Sequence, residues 1–187
     1  LIGAVAGTGS QRWYSEKGKQ DATWFISVAA SHGATWDGAR VWDLGCGCGR
    51  IARWIAPDVL KSGGDFLGTD INRALVGWCD ANLPGRYLRN SLQPPVKRAS
   101  GDRDLVYAYS VFTHLRETAI RSWLAEIARV LRPGGLAMLT FHDEAYAAAW
   151  GPESVRVSLQ SARLVIFHDA LEAVSYTHLT LPTIYSV

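Results

Sequence analysis

Asp43, Gly45, Gly47 and Gly49 alternate with other residues in the run Val-Trp-Asp-Leu-Gly-Cys-Gly-Cys-Gly-Arg from 41 to 50. Glycines can take positive φ and, lacking a Cβ, let a ligand lie directly on the backbone. Ile51, Ala52, Trp54 and Ile55 read as the start of a helix whose free amides point into the same space. Asp70, about 20 residues past the loop, ends an apolar run where a carboxylate can accept from a ribose diol. These parts describe a nucleotide site, and the residue types narrow the nucleotide. A dinucleotide fingerprint needs a small third residue, G-x-G-x-x-G/A, for close helix–strand packing. Here that place holds Arg50, which is awkward for a pyrophosphate clamp. Asp43 would repel a pyrophosphate but suits ammonium and sulfonium groups. The chemistry is that of a cationic nucleoside with a free ribose and no phosphate. Arg50 itself has two readings, a surface charge at a helix start or a partner for the ligand's carboxylate. His114 and His142 are the candidates for accepting a proton. His142 follows a strand at the carboxyl edge of the sheet, where ligands bind. His114 also has a purely structural reading.

Several elements must position these residues. The segment Ala22 to Ala30 predicts a helix with Trp24, Phe25 and Val28 inward, ended by Gly33. Strands are predicted at 40–44, 66–70, around Tyr87 and Leu88, at 105–109 and at 136–141. The glycine loop should lead into a helix reaching about Trp54 or Ile55, with Pro57 barring its continuation. Residues 73–82 fit a helix burying Leu75, Val76 and Cys79. Ile120, Trp123, Leu124, Ile127 and Leu131 make one buried helical stripe, closed by Pro133-Gly134-Gly135. Strand and helix alternate from 40 to 141, which implies an α/β fold: a doubly wound, mostly parallel sheet with helices on both faces.

Asp43-x-Gly45-x-Gly47-x-Gly49 with Asp70 resembles the class I S-adenosylmethionine-dependent methyltransferases, whose cofactor fits the description above. The block Asp104-Leu-Val-Tyr-Ala-Tyr-Ser-Val-Phe-Thr-His114-Leu resembles their fourth-strand motif, and Arg129-Val-Leu-Arg-Pro-Gly-Gly135 the turn into their fifth strand. The likeness runs from about residue 10 to 145, and its wording is similar to bacterial methyltransferases of small-molecule and glycan-tailoring pathways. It implies a Rossmann-like methyltransferase fold and S-adenosylmethionine as cofactor. By position, Gly45, Cys46 and Gly47 would line the methionine part. Asp70 would hold the ribose hydroxyls and Ile71 would lie against the adenine. Asn90 and Ser91 would approach the adenine amino edge, and Tyr109 and Ser110 the transferred methyl. The acceptor would be an oxygen or nitrogen on a small molecule or glycan, with His142 or His114 as base. Gln11, Arg12 and Tyr14 are candidates for a lid.

Length and composition set the outer bounds. The 187 residues, 48 % apolar and 19 % charged, suit one soluble domain with a core. A net charge of +2 without a Lys/Arg cluster gives no nucleic-acid footprint, and no run is apolar and long enough for a membrane span. Three cysteines cannot all pair, which suits a reducing, cytoplasmic setting. Cys46 and Cys48 as a metal pair would lack the second ligand pair of a zinc site, so no metal is expected. The chain starts without Met, and Ser175 to Thr183 resembles the translation of a sequencing-adapter read-through. The expected domain is therefore 1–174, incomplete at both ends, with 175–187 a non-native tail. A five-strand core follows, with room for one extra strand near 163–167 and a poorly covered outer edge on strand five. Three other readings stay open. A nucleic-acid methyltransferase is disfavoured because Tyr107-Ala-Tyr-Ser110 replaces an Asn/Asp-Pro-Pro-aromatic motif. A nicotinamide-linked oxidoreductase is disfavoured by Arg50 and the glycine spacing. The third is a non-catalytic cofactor-binding fragment. Neither the oligomeric state nor the acceptor is legible.

Overall fold

The computed structural model describes residues 10–142, Ala149, Glu153 and the backbone of three further strands at 164–168, 175–179 and 184–186. In chain order the elements are α1 (Gln11–Ser31), β1 (Arg40–Leu44), α2 (Ala52–Lys61), β2 (Asp65–Asp70), α3 (Arg73–Asn82), β3 (Arg86–Arg89) and β4 (Arg103–Ala108). A short 3₁₀ turn (Phe112–His114), α4 (Glu117–Val130), β5 (Leu131–Leu139), β6 (Leu164–His168), β7 (Ser175–Leu179) and β8 (Ile184–Ser186) complete them. One sheet has the order β3-β2-β1-β4-β5-β8, and β6 pairs with β7 in a second, two-stranded sheet. The strands β3, β2, β1, β4 and β5 are parallel to their neighbours, as the alternating pattern requires.

Alternation along the strands builds two layers of core. Val41, Phe66, Leu105 and Tyr107 pack with Phe25 of α1, Ile55 and Val59 of α2, and Cys79 of α3. Trp42, Leu67 and Val106 point the other way, onto Ile120, Trp123 and Ile127 of α4. Because both faces are covered, the strands read as nearly continuous apolar runs. The topological switch falls between β1 and β4, whose neighbours lie on opposite sides. Their carboxyl ends open the crevice that holds the site.

Four local expectations are corrected. First, α1 begins at Gln11, where Ser10 accepts from the Trp13 amide as N-cap. Its buried stripe is Tyr14, Gly18, Asp21, Ala22, Phe25 and Ala29. Trp24 falls off that stripe and is 46 % exposed. Second, Pro57 lies inside α2 rather than ending it. The proline removes one backbone donor, while Ala52, Ile55, Ala56 and Val59 bury a full face on the sheet. Tertiary packing outweighs the local penalty. Third, β5 starts at Leu131 and ends at Leu139. Pro133-Gly134-Gly135 is absorbed as an irregularity in its pairing with β4 between Arg103 and Leu105. Fourth, the outer edge of β5 is covered, since Leu136, Ala137 and Met138 pair antiparallel with Ser186, Tyr185 and Ile184 of β8.

Candidate active site

The glycine loop is stitched to the end of β2. The amides of Gly45 and Cys46 both donate to the Thr69 carbonyl, at 2.7 and 2.9 Å. Gly45 has φ +78°, and a Cβ there would meet Val111 Cγ2 at 2.2 Å. Only glycine satisfies both conditions. Asp70 ties the next turn: Oδ2 accepts from the Gly47 amide at 2.9 Å and Oδ1 from the Asn72 amide at 2.8 Å. Asn72 in turn caps α3, accepting from Ala74 and Leu75. Loop, strand end and helix start thus form one hydrogen-bonded unit. A carboxylate has about four lone-pair positions, so Asp70 keeps acceptor capacity for a ligand.

These parts border a cavity of about 690 Å³. Of the residues predicted from sequence, Asp43, Gly45, Cys46, Gly47, Asp70, Ile71, Asn90, Tyr109, Ser110 and His114 line it, and Gly49, Ser91 and His142 do not. Gly49 serves the scaffold: a Cβ there would meet Leu83 Cδ1 at 2.2 Å, so its absence lets the loop pack on the end of α3. Ser91 is exposed, and its carbonyl accepts from Asn90 Nδ2 at 2.8 Å. His142 lies past the end of β5.

Asp43 is almost fully buried and accepts from the Tyr107 hydroxyl at 2.8 Å. Burial pushes its carboxyl up to about 7; the Tyr107 bond and the Arg50 charge oppose the rise, and Asp70 adds to it. Asp43 is therefore poised near neutrality rather than a fixed negative charge. His114 stands at the rim, where loss of water lowers its imidazole below the usual range. Asn90 Oδ1 is buried without a hydrogen-bond partner, an acceptor awaiting a donor from the cavity. Ser110 takes φ +56°, a conformation that strains a residue with a side chain. Its amide donates to Thr140 Oγ1 at 2.7 Å, which holds the turn at the end of β4.

The structure also settles how Arg50 sits and adds residues that sequence reasoning missed. Arg50 is not a surface charge. Its guanidinium contacts Asp21 at 2.5 Å, stacks over the Tyr109 ring at 4.5 Å and lines the cavity. Trp13 and Lys17, one helical turn apart on α1, line the cavity as well. Of the expected lid residues, Arg12 bonds Glu16 in solvent and Tyr14 is buried against Cys48 Sγ at 2.8 Å. Arg53 donates to the carbonyls of Gly49 and Cys48, closing the loop from below. The i, i+4 spacing of Trp13 and Lys17 was readable in principle, but only once α1 is known to extend to Gln11. The three cysteines are buried free thiols, and among the described residues no cluster of three His, Cys, Asp or Glu is arranged for a metal.

The site fits S-adenosylmethionine on its own features. The orphaned Asn90 acceptor suits the adenine amino group, and the spare acceptor capacity of Asp70 suits ribose hydroxyls. Gly45 gives a floor without side chains, and buried Asp43 gives a carboxyl for a cationic end.

Comparison with known proteins agrees. An uncharacterized methyltransferase of Synechocystis is 26 % identical over 123 residues, covering 65 % of this chain and 56 % of the relative. The ribosomal RNA small subunit methyltransferase C of Alcanivorax borkumensis is 26 % identical over 143 residues, covering 71 % and 42 %. The chain thus spans about half the length of these curated relatives. In fold it is similar to the Burkholderia thailandensis 1,6-didemethyltoxoflavin-N1-methyltransferase, solved with 1,6-didemethyltoxoflavin and S-adenosylhomocysteine. That likeness has TM-score 0.59 at 16 % identity, over 91 % of this chain and 64 % of that one. Residues 41–135, from β1 to the turn within β5, match the methyltransferase domain family. With the strand order, the glycine loop and the fitted site, the chain belongs to that family, in its class I, S-adenosylmethionine-dependent form.

Proposed function

We propose that this domain transfers a methyl group from S-adenosylmethionine to an oxygen or nitrogen of a small-molecule or glycan acceptor. The observation that carries this reading is the convergence of the Asp70 carboxylate and the orphaned Asn90 oxygen on one cavity floored by Gly45 and Gly47. The cofactor supplies an activated methyl on a sulfonium; the chain's tasks are to hold, align and dehydrate. Asp70 accepts from the ribose hydroxyls, Asn90 and Ile71 flank the base, and Gly45, Cys46 and Gly47 line the amino-acid part. Asp43 faces the cationic end, and Arg50 is available to the carboxylate. Tyr109 and Ser110 lie under the reacting centre, and α1 closes the cavity with Trp13 and Lys17.

A base is required only where the acceptor must lose a proton. His114 is the stronger candidate, because it reaches the cavity and its lowered pKa keeps it neutral and able to accept. His142 is the second. Every described residue that lines the cavity precedes residue 143; the functional unit in this reading is 1–174, in a reducing cytoplasmic setting that suits the free thiols.

The relative named as a ribosomal RNA methyltransferase favours a second reading, an RNA acceptor. The absence of a basic stripe and the sequence Tyr107-Ala-Tyr-Ser110 favour the first. Methyl-labelled S-adenosylmethionine offered with phenolic, amine, saccharide and RNA acceptors separates them. Label is expected in a small acceptor, and His114→Ala is expected to slow that turnover about 100-fold, a general-base contribution. Label only in RNA would establish the second reading. Unchanged rates for both His114→Ala and His142→Ala would remove the base.

A further inference from the structure

Asp43 and Tyr107 are direct partners in the β1–β4 register, and both face the layer that carries α1. The Tyr107 ring lies 5.0 Å from Phe25, 6.0 Å from Trp36 and 6.5 Å from Phe66. Rings from α1, the α1–β1 connection and β2 therefore pin the phenol where it meets the carboxyl. Its hydroxyl donates to Asp43 Oδ2 at 2.8 Å, and Asp43 itself lines the cavity. The other titratable groups acting on this carboxyl are Asp70 from β2 and Arg50 from the glycine loop, and the carboxyl in turn raises the Cys46 thiol and the Tyr87 phenol of β3. Arg50 pairs with Asp21 and acts on Asp43 only at a distance, so among the described residues no ion pair is formed by Asp43. The sequence places Tyr107 inside the fourth-strand block, but the function described so far gives it no task.

We propose that Tyr107 is a positioning residue for cofactor uptake, acting through Asp43, and that uptake expels one proton from the Asp43 carboxyl. The inference rests on the S-adenosylmethionine reading above. The step moves a single proton from Asp43 to solvent, forms no covalent bond and leaves Tyr107 protonated. Burial beside Asp43 pushes the Tyr107 phenol well up, so it remains a donor at any working pH. A donor to the ionised carboxylate favours the charged form, opposing the burial that otherwise keeps the acid neutral. Removing the hydroxyl should therefore move the Asp43 midpoint further up. Cofactor affinity should then fall where the pH lies below that midpoint and change little where it lies above.

The test is calorimetric titration of the full chain with S-adenosylmethionine and S-adenosylhomocysteine from pH 6 to 9, for the native protein, Tyr107→Phe and Asp43→Asn. The native-to-Tyr107→Phe affinity ratio is expected to grow about tenfold from pH 9 to pH 6, the effect of a one-unit midpoint shift. Titration of the ligand's own amine and of His114 cancels in that ratio. Asp43→Asn should lose the proton release, read as the buffer-dependent part of the binding enthalpy. A ratio that is constant with pH would make Tyr107 merely structural and overturn the inference. Should Tyr107→Phe fail to fold, Asp43→Asn decides alone: undiminished proton release in that variant overturns it. No binding of either nucleoside by the native chain at any pH would instead sink the cofactor reading.

Discussion

Two carboxylates of the site work in opposite ways. Asp70 is held by two backbone amides and stays a plain hydrogen-bond acceptor. Asp43 is buried and titrates near neutrality. Asp70→Ala removes the proposed ribose contacts and also releases the Gly47 and Asn72 amides. A loss of about 1.5–3 kcal/mol, or about 10- to 100-fold in S-adenosylmethionine affinity, is expected from isothermal titration. Asp43 also has a signature in stability. Its folded pKa, about 7, exceeds its usual 3.8, so the folded chain binds a proton there that the unfolded chain has released. The resulting contribution is complete below about pH 4 and is lost as pH rises through 7. Asp43→Asn should flatten that part of the curve of melting temperature against pH. Both carboxylates were legible in the sequence from their distances to the glycines. The raised pKa of Asp43 was not, because it comes from burial in the folded sheet and is only opposed by a tyrosine 64 residues away in the chain.

The elements divide the labour between placing the floor and closing the cover. At the amino end of the sheet Asp104 accepts from Arg40 through backbone and side chain, and from Arg132 at 2.6 Å. This clamp ties β1, β4 and β5. Burial alone would raise the Asp104 carboxyl, but the hydrogen bonds from Arg40 and Arg132 prevail and hold it well below the usual range. Its stabilisation is therefore present above about pH 4 and is lost as pH falls through the depressed folded pKa. Asp104→Asn should lower the melting temperature at pH 6 and narrow its difference from the native chain at pH 3. At the other end α1 docks through Asp21 on Arg50, and a Cβ on Gly18 would meet the Arg50 carbonyl at 2.3 Å. Gly18→Ala should displace α1, cost about 1–3 kcal/mol in denaturant unfolding and weaken cofactor binding through Trp13 and Lys17. Periodicity revealed α3 and α4, which bury one regular face, and continuous apolar runs revealed β1 and β2, which are buried on both. It failed at α2, where Pro57 misled, and at the start of α1. There the stripe includes Gly18 and Asp21, residues that carry no apolar signal and that pack on Arg50.

At the scale of the molecule, the fold and the cofactor follow from one stretch of chain. The five parallel strands, the loop and the described cavity lining all lie within the span from α1 to β5, and the family match covers 41–135 of it. The acceptor depends on the cavity mouth, whose walls come from α1 and the β4–α4 connection. Side chains there answer to a substrate rather than to the sheet, so no periodicity betrays it. S-adenosylmethionine is expected at the carboxyl edge of this sheet, and thermal unfolding of the native chain and of Asp70→Ala tests it. At 100 times the dissociation constant a ligand stabilises the folded state by about 2.7 kcal/mol, which for a domain of this size raises the melting temperature by roughly 5–10 °C. That rise is expected with S-adenosylmethionine and S-adenosylhomocysteine, a much smaller one in Asp70→Ala, and none with NAD. Stabilisation by NAD alone, or an equal rise in Asp70→Ala, would contradict it.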